Sequence, residues 1–432
     1  MARETSKQLR NNVMYSVFVR NHTAEGTFNA LCEDLDRIKS MGVDIVWLMP
    51  IHPIGKVARK GVLGSPYAIS DYRAINPEFG TMDDFKKLVD EIHSRGMKCI
   101  IDVVYNHTSP DSTLVREHPE WFYRKPDGKF GNKVGEWLDV IDLDYKKIEL
   151  WDYQIETLKM WAGIVDGFRC DVAPLIPLEF WLRARAEVAK VRPDCLWLSE
   201  SVEPVFTIDN RARGMVSLSD SEIFQAFDLC YEYDIYSWFV GYLTGVNSLQ
   251  EYVDRINMQE AIYPDNYVKL RFLENHDNAR AHFLVGDEDK LSNWLAFCYF
   301  QKGMTLLYGG QEVGEKHLPS LFDRDTVDWE QKAKNINLSA MMSCLYQIKQ
   351  NPLFTDSRYV VKAMPGDVIL ASHTKGGKGM MGIFNVGGEA ALTLVPLAEG
   401  VYRNLIDGSE VEVHRGRIYA DKKPIIVEFT EG

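Results

Sequence analysis

Residues 97–104 read MKCIIDVV, a short apolar run that carries Asp102 at its end. A continuous apolar run of this length is typical of a strand that is buried on both faces of a parallel sheet. Three more acidic residues follow such runs: Asp171 comes after GFRC, Glu200 after CLWLS and Asp277 after YVKLRFLENH. Ligands of α/β folds gather at the carboxyl ends of parallel strands, so the sequence predicts that these four carboxylates meet at one place.

Further strand-like runs alternate with helical patterns along most of the chain. Thr27 is predicted to cap one helix, and Thr81 with Asp84 resembles a capping box before another. Repeated strand–helix units of this kind predict a (β/α)₈ TIM barrel. An open doubly wound sheet is the rival fold, but it would place a glycine-rich turn after the first strand, and residues 20–23 contain no glycine. The predicted strands are 13–19, 43–49, 97–104, 164–170 and 195–199, with three more near 223–228, 267–273 and 304–308, and later helices are predicted at about 146–162 and 177–191.

The barrel pattern is interrupted once and then ends. Residues 106–145 are rich in Pro, Gly, Asp and Trp and are too long for an ordinary βα loop, which predicts an insertion after the third strand. Residues 1–105 and 146–356 then form the barrel. From residue 357 to 432 short alternating segments are separated by turn signals, so we expect a C-terminal all-β sandwich domain.

Composition narrows the classes of function. The net charge of −13 argues against nucleic acid as a partner, since phosphate binding needs a basic surface. No apolar run reaches the roughly 20 residues of a membrane helix. The 7 cysteines lack metal-ligand spacing, and several sit in apolar runs, so we expect reduced thiols. Without a visible secretory signal, a cytoplasmic location is the expectation.

Two of the strand-end acids have neighbours that suggest distinct roles. Arg169 and Asp171 are two residues apart on one strand, so their side chains point to the same face and the guanidinium favours an ionised Asp171. Glu200 follows an apolar run with no adjacent cation, which favours its protonated form. One ionised and one protonated carboxyl are the minimum apparatus for cleaving a glycosidic bond. A structural ion pair at the barrel rim and a helix-cap acid remain the alternatives for these residues.

Taken in order, several short motifs resemble the α-amylase family, glycoside hydrolase family 13. They are DVVYNH at 102–107, GFRCD at 167–171, Glu200, NHD at 275–277, SPY at 65–67 and YGGQE at 308–312. The resemblance covers most of the chain. It implies retention of the α configuration through a glycosyl-enzyme intermediate.

The resemblance also implies roles for individual residues. Asp171 matches the nucleophile, Glu200 the general acid/base and Asp277 the acid that stabilises the transition state. Five further residues match positions around the sugar: Tyr67, Asp102, His107, Arg169 and His276. Tyr67 corresponds to the aromatic platform under the sugar, and Asp102 to a mostly architectural position.

The resemblance implies no cofactor for the chemistry and leaves a structural calcium open, with Asn106 as a matched ligand. Val172-Ala173-Pro174-Leu175 departs from the pattern of many endo-acting α-amylases, so the preference between α-1,4 and α-1,6 bonds stays open. No N-terminal dimerisation domain is visible, and a monomer is expected.

The sequence thus favours a retaining α-glucan hydrolase that acts on maltodextrins. A transglycosylase or isomerase of the same family, including one with a sucrose- or trehalose-type substrate, is the alternative, because the same intermediate can pass to a sugar hydroxyl. A metal-dependent barrel hydrolase would need more paired histidines than the chain offers. A non-catalytic sugar-binding protein is disfavoured because Asp171, Glu200 and Asp277 are all present.

Overall fold

The computed structural model describes residues 4–135, 137–330 and 336–430. Eight parallel strands close into a barrel in the order β1-β10-β9-β8-β7-β6-β3-β2, which confirms the predicted TIM barrel. These strands are β1 (Val13–Val17), β2 (Ile45–Leu48), β3 (Lys98–Val103), β6 (Gly167–Cys170), β7 (Leu196–Ser199), β8 (Leu229–Tyr231), β9 (Lys269–Arg271) and β10 (Met304–Tyr308).

The helices pack mainly around the outside of the barrel. They are α1 (Val19–His22), α2 (Phe28–Ser40), α3 (Met82–Ser94), α4 (Thr113–Glu117), α5 (Ile148–Ala162), α6 (Leu178–Val188), α7 (Pro204–Ala212), α8 (Asp220–Ile223), α9 (Tyr233–Leu243), α10 (Leu249–Ile262), α11 (Ala281–Val285), α12 (Glu288–Phe300) and α13 (Ser339–Lys349). Both predicted caps are confirmed. Thr27 accepts a hydrogen bond from the Ala30 amide, and Thr81 and Asp84 form a reciprocal capping box.

One predicted strand is wrong. The run 223–228 was expected to be extended, but α8 ends at Ile223, and β8 begins only at Leu229. Ser219 and Glu222 form a capping box that starts α8, and this local signal overrides the apolar pattern. The predicted strand 267–273 is shorter at both ends, because β9 covers only Lys269–Arg271.

The register of neighbouring strands sets the position of the acidic residues. Asp102 pairs with Arg169 across β3 and β6, and Cys170 pairs with Ser199 across β6 and β7. Asp171 and Glu200 therefore each follow directly after a paired strand end. Asp102 lies inside β3, and Asp277 lies six positions beyond Arg271, the last residue of β9. The four acids thus come from the carboxyl-terminal side of the barrel, where barrel enzymes build their sites.

The insertion carries a two-stranded pair, β4 (His107–Thr108) with β5 (Ile141–Asp142). The C-terminal region is all-β. Its main sheet has the order β11-β12-β13-β18, and two further pairs are β14 with β17 and β15 with β16. The bounds are β11 (Arg358–Met364), β12 (Val368–Lys375), β13 (Lys378–Asn385), β14 (Ala391–Leu394), β15 (Gly400–Arg403), β16 (Glu410–Val413), β17 (Arg417–Ala420) and β18 (Ile425–Thr430).

The C-terminal sheet packs on the barrel through aromatic rings. Phe384 on β13 lies 5.5 Å from both Phe297 and Phe300 of α12, measured between ring centroids. Asn293 of α12 adds polar contacts at this boundary, because its Oδ1 accepts from the Asn385 amide at 2.8 Å. The barrel core is therefore continuous with one face of the sheet. Within the described residues, no helix is long and apolar enough to cross a membrane.

Candidate active site

Arg169 lies at the centre of the candidate site and is fully buried. Its Nη1 is 2.9 Å from an oxygen of Asp102 and 2.9 Å from an oxygen of Asp171. Its Nη2 is 3.0 Å from Glu200 Oε2, and its Nε donates to the hydroxyl of Tyr231 at 3.2 Å. One guanidinium thus holds three of the four predicted acids together.

Glu200 has a second donor besides Arg169. The backbone amide of Val172 donates to Glu200 Oε2 at 2.7 Å. Val172 adopts φ 34° and ψ 42°, a left-handed conformation that is costly for a β-branched residue. This conformation lies between Asp171 and a short 3₁₀ turn, Ala173–Leu175, and it directs the Val172 amide at the Glu200 carboxyl.

Asp277 is the most accessible of the three predicted catalytic acids, with 41% of its side chain exposed. Its Oδ2 lies 3.1 Å from His276 Nε2. The same nitrogen lies 2.7 Å from the hydroxyl of Tyr67, which donates in turn to Asp102 at 3.1 Å. The Tyr67 ring stacks on the His276 ring at 5.5 Å. These four residues thus form one continuous series of polar contacts.

His107 reaches the site from the insertion. Its Nε2 is 3.9 Å from Asp171 Oδ2, and its ring lies 5.5 Å from that of Trp137. Burial lowers the pKa of His107, so the ring is neutral at pH 7 and can donate one hydrogen bond. All eight predicted site residues are therefore brought together.

The environment separates the pKa values of the carboxyls. Burial raises the pKa of Glu200 to about 8, against the opposing effect of Arg169, and the charge on Asp171 contributes to the rise. Burial also raises the pKa of Asp171 to about 6, which Arg169 limits. The neighbouring His276 ring and the Arg169 charge lower the pKa of Asp277. At pH 7 Glu200 is mainly protonated, whereas Asp171 and Asp277 are mainly ionised.

The structure adds two contacts of Arg169 that the sequence did not predict. Glu200 has no cation next to it in sequence, but Arg169 reaches it from the neighbouring strand β6. Its protonated form is nevertheless favoured because burial has the larger effect. The sequence also missed Tyr231, whose hydroxyl accepts from Arg169 at the end of β8. Tyr231 ends the short apolar run LCY at 229–231, which is β8. The predicted strand was placed at 223–228 instead, so Tyr231 was not recognised as a residue at a strand end.

The structural calcium suggested for Asn106 does not fit the residues around it. The Asn106 amide nitrogen lies 3.4 Å from Asp142 Oδ1, and Lys133 Nζ donates to the neighbouring Leu143 carbonyl at 3.3 Å. A divalent ion among these oxygens would be repelled by the Lys133 ammonium. Among the residues with described positions, no group of three or more His, Cys, Asp or Glu side chains could hold a metal ion.

A closed parallel barrel with a cluster of carboxyls at the carboxyl ends of its strands defines the class of (β/α)₈ barrel enzymes. Comparison with known families narrows this class. The α-amylase catalytic-domain family matches residues 10–130 and 121–351, and the bacterial α-amylase C-terminal domain matches residues 360–427. The chain belongs to the α-amylase family.

Solved structures of similar proteins cover nearly the whole chain. An α-amylase from Lactobacillus plantarum is 47% identical, with a TM-score of 0.95 over 98% of this chain and 100% of that one. A maltogenic α-amylase, AmyB, from Thermotoga neapolitana is 34% identical, with a TM-score of 0.86 over the same shares.

Curated relatives include enzymes of another reaction type. An α-1,4-glucan:maltose-1-phosphate maltosyltransferase from Rhodospirillum rubrum is 36% identical over 212 residues, 43% of this chain and 31% of the relative. The chain spans about a third of the length of the first curated relatives it matches. The comparisons establish a member of the α-amylase family and leave hydrolysis and glycosyl transfer both open.

Proposed function

We propose that this protein is a retaining α-glycoside hydrolase that cleaves α-glucosidic bonds, mainly α-1,4, in maltodextrins. Asp171 attacks the anomeric carbon and forms a β-glycosyl ester, while Glu200 donates its proton to the leaving oxygen. Glu200 then accepts a proton from the water that cleaves the ester. Asp277 stabilises the positive charge that develops on the sugar.

The pairing of Asp171 and Glu200 on one guanidinium is the observation that carries this proposal. Nη1 of Arg169 lies 2.9 Å from Asp171 and Nη2 lies 3.0 Å from Glu200, so one guanidinium contacts both carboxyls of the proposed pair. The separation of their pKa values supports the same assignment, since the proton donor must be protonated and the nucleophile ionised at the same pH.

The alternative is transfer of the glycosyl group to a sugar hydroxyl. The maltosyltransferases among the relatives support this candidate. Both reactions pass through the same ester on Asp171, and they differ in whether water or a sugar reaches it.

A time course of products separates the candidates. Maltoheptaose, panose and amylopectin are incubated with the enzyme, and the products are separated by chromatography. Shorter maltooligosaccharides are expected, and the substrates that react report whether α-1,6 bonds are also cut. Chains longer than maltoheptaose would support the transferase instead.

The matched control is Asp171→Asn, which keeps the size of the side chain and removes the nucleophile. Turnover is expected to fall by about 10⁴-fold or more, because the catalytic groups act as a unit. Activity within about tenfold of wild type would contradict the role of Asp171.

We also propose a cytoplasmic location. Five of the seven cysteines are buried, and burial raises the thiol pKa of Cys99 and Cys170, which keeps them in the unreactive thiol form. Fractionation of source cells with an antibody to the protein would test this, and recovery from the culture medium would contradict it.

A further inference from the structure

Tyr231 is the last residue of β8 and is fully buried. The preceding residue, Cys230, pairs with Ser199 across β8 and β7, so Tyr231 and Glu200 each stand one position beyond that pair. Arg169 lies on β6, on the other side of β7. The Tyr231 side chain therefore reaches past the strand of Glu200 to the guanidinium that Glu200 contacts.

The Tyr231 hydroxyl completes the set of partners around this guanidinium. Nη1 of Arg169 contacts Asp102 and Asp171. Its Nη2 contacts Glu200, and its Nε donates to the Tyr231 hydroxyl at 3.2 Å. Because the guanidinium is planar and each of its three nitrogens has a partner, a change at one partner alters the geometry at the others.

Aromatic rings enclose the same guanidinium. Its Cζ lies 5.1 Å from the centroid of the Trp47 ring, 5.4 Å from that of Tyr231 and 5.6 Å from that of Tyr67. Rings within about 6 Å attract a cation through their faces. The Trp47 and Tyr231 rings also contact each other edge to face at 6.2 Å. Tyr231 thus contributes both a ring and a hydrogen-bond acceptor to the surroundings of Arg169.

We propose that Tyr231 is a positioning residue, whose hydroxyl orients Arg169 so that one guanidinium contacts the nucleophile and the proton donor together. This role rests on the proposed function and adds to it a residue that acts through Arg169. Phenylalanine at position 231 would keep the ring but leave the Nε hydrogen buried without its acceptor. The guanidinium would then turn toward another acceptor, and its contacts with Asp171 and Glu200 would lengthen.

The pH profile is a readout of the position of this guanidinium. The titratable groups around it are the acids Asp102, Asp171, Glu200 and Asp277 and the phenols Tyr67 and Tyr231, with His107 next to Asp171 and His276 next to Asp277. Burial raises the pKa of Asp171 and of Glu200, and the charge of Arg169 opposes the rise in both. A displaced guanidinium opposes it less, so both limbs of the kcat/KM profile are expected to move to higher pH in Tyr231→Phe.

Steady-state kinetics on maltoheptaose tests the role of the hydroxyl. In Tyr231→Phe kcat is expected to fall about tenfold or more, because small misplacements of catalytic groups are costly, while KM stays within about twofold. The matched control is Tyr267→Phe. Tyr267 is also buried, but it precedes β9 at the other end of the barrel, and its hydroxyl donates to Glu260 at 2.5 Å. Its kcat and pH profile are expected to match wild type.

A second background separates a role through Arg169 from a general loss of packing. Arg169→Lys removes the Nε donor, so the Tyr231 hydroxyl no longer has this partner. Adding Tyr231→Phe to Arg169→Lys is therefore expected to change kcat by less than about twofold. Losses that multiply in the double variant would contradict a role through Arg169.

A crystal structure of Tyr231→Phe gives an answer that does not depend on activity. The Arg169 guanidinium is expected to lose its contact with Glu200. A guanidinium in its wild-type place, or a Tyr231→Phe enzyme with the kcat and pH profile of wild type, would overturn the proposal. A wild-type enzyme that neither cleaves nor transfers glycosyl groups would instead refute the proposed function, and the crystal structure would still decide whether Tyr231 orients Arg169.

Discussion

The guanidinium of Arg169 contacts three acids that differ in charge at neutral pH. Burial favours the neutral form of each acid, and the single cation can compensate only part of that cost. Burial raises the pKa of Glu200 to about 8, higher than that of Asp102 or Asp171, so Glu200 retains its proton most strongly. The division of roles between donor and nucleophile therefore follows from one buried cation shared by several carboxyls.

The pH dependence of kcat/KM follows from these two pKa values. Activity is expected to fall below about pH 6, as Asp171 becomes protonated, and above about pH 8, as Glu200 loses its proton. In Glu200→Gln the alkaline fall should disappear, and substrates with very good leaving groups should lose less activity than maltodextrins, because they need little protonation. The profiles are measured on both kinds of substrate with wild type and variant.

An alkaline fall that persists unchanged in Glu200→Gln would contradict the assignment of the proton donor. Equal losses on activated and natural substrates would contradict it as well, since a general acid matters most for a poor leaving group.

The identities of the site residues could be predicted from the sequence, but their hydrogen bonds could not. Asp171 and Glu200 stand directly after strands, so their place at the barrel edge follows from local pattern alone. The contact between Arg169 and Glu200 depends on the register of β6 against β7, which no local pattern encodes. The left-handed conformation of Val172 could not be predicted from the sequence either, because valine normally avoids it.

At the scale of elements, the helices α2 and α3 end alike but in different surroundings. Each is followed by a glycine with positive φ, Gly42 at 86° and Gly96 at 68°. A Cβ on Gly96 would meet nothing within 4 Å, whereas a Cβ on Gly42 would overlap the Tyr346 ring of α13. Gly42 thus serves both the turn and the packing of the last barrel helix.

The two glycines give a matched pair of variants. Gly96→Ala should lower the free energy of unfolding by about 1 kcal/mol, which is the cost of a left-handed alanine. Gly42→Ala should cost clearly more, because the ring of Tyr346 must also move. Denaturant unfolding measures both. Equal losses would show that the packing against Tyr346 carries no cost.

The element boundaries show where local patterns suffice. Strands buried on both faces, such as β3 and β10, were predicted to within a residue or two because their apolar runs are continuous. The failure at 223–228 arose because Phe224 and Phe227 are buried in a turn that covers the barrel, not in a strand. Burial explains the apolar run, but it does not decide between strand and turn.

At the scale of the whole molecule, the boundary between the barrel and the C-terminal sheet contains a buried lysine. Lys349, at the end of α13, is fully buried, and its Nζ donates to the Tyr299 carbonyl at 2.8 Å. Burial lowers its pKa to about 7, and the charge of Arg271 adds to this effect. The nearby His373 is also buried, and burial lowers its pKa to about 3.

Lys349 makes stability depend on pH. Its pKa is lower in the folded protein than the usual 10.5, so between pH 7 and 10.5 the unfolded chain binds more protons than the folded one. The free energy of unfolding should therefore rise with pH across this window. In Lys349→Met this contribution should be absent. Denaturant unfolding at several pH values measures the difference between the two proteins, and a difference that is constant with pH would contradict the account.

The central claim is that Asp171 forms the covalent bond to the sugar, and trapping the intermediate tests it most directly. A fluorinated α-glucosyl fluoride that forms the ester quickly and releases it slowly is incubated with the enzyme, which is then digested and analysed by peptide mass spectrometry. The account predicts one added glycosyl group, on the peptide that contains Asp171, and no label in Asp171→Asn. A label on another residue, or rapid turnover of maltodextrins by Asp171→Asn, would contradict it.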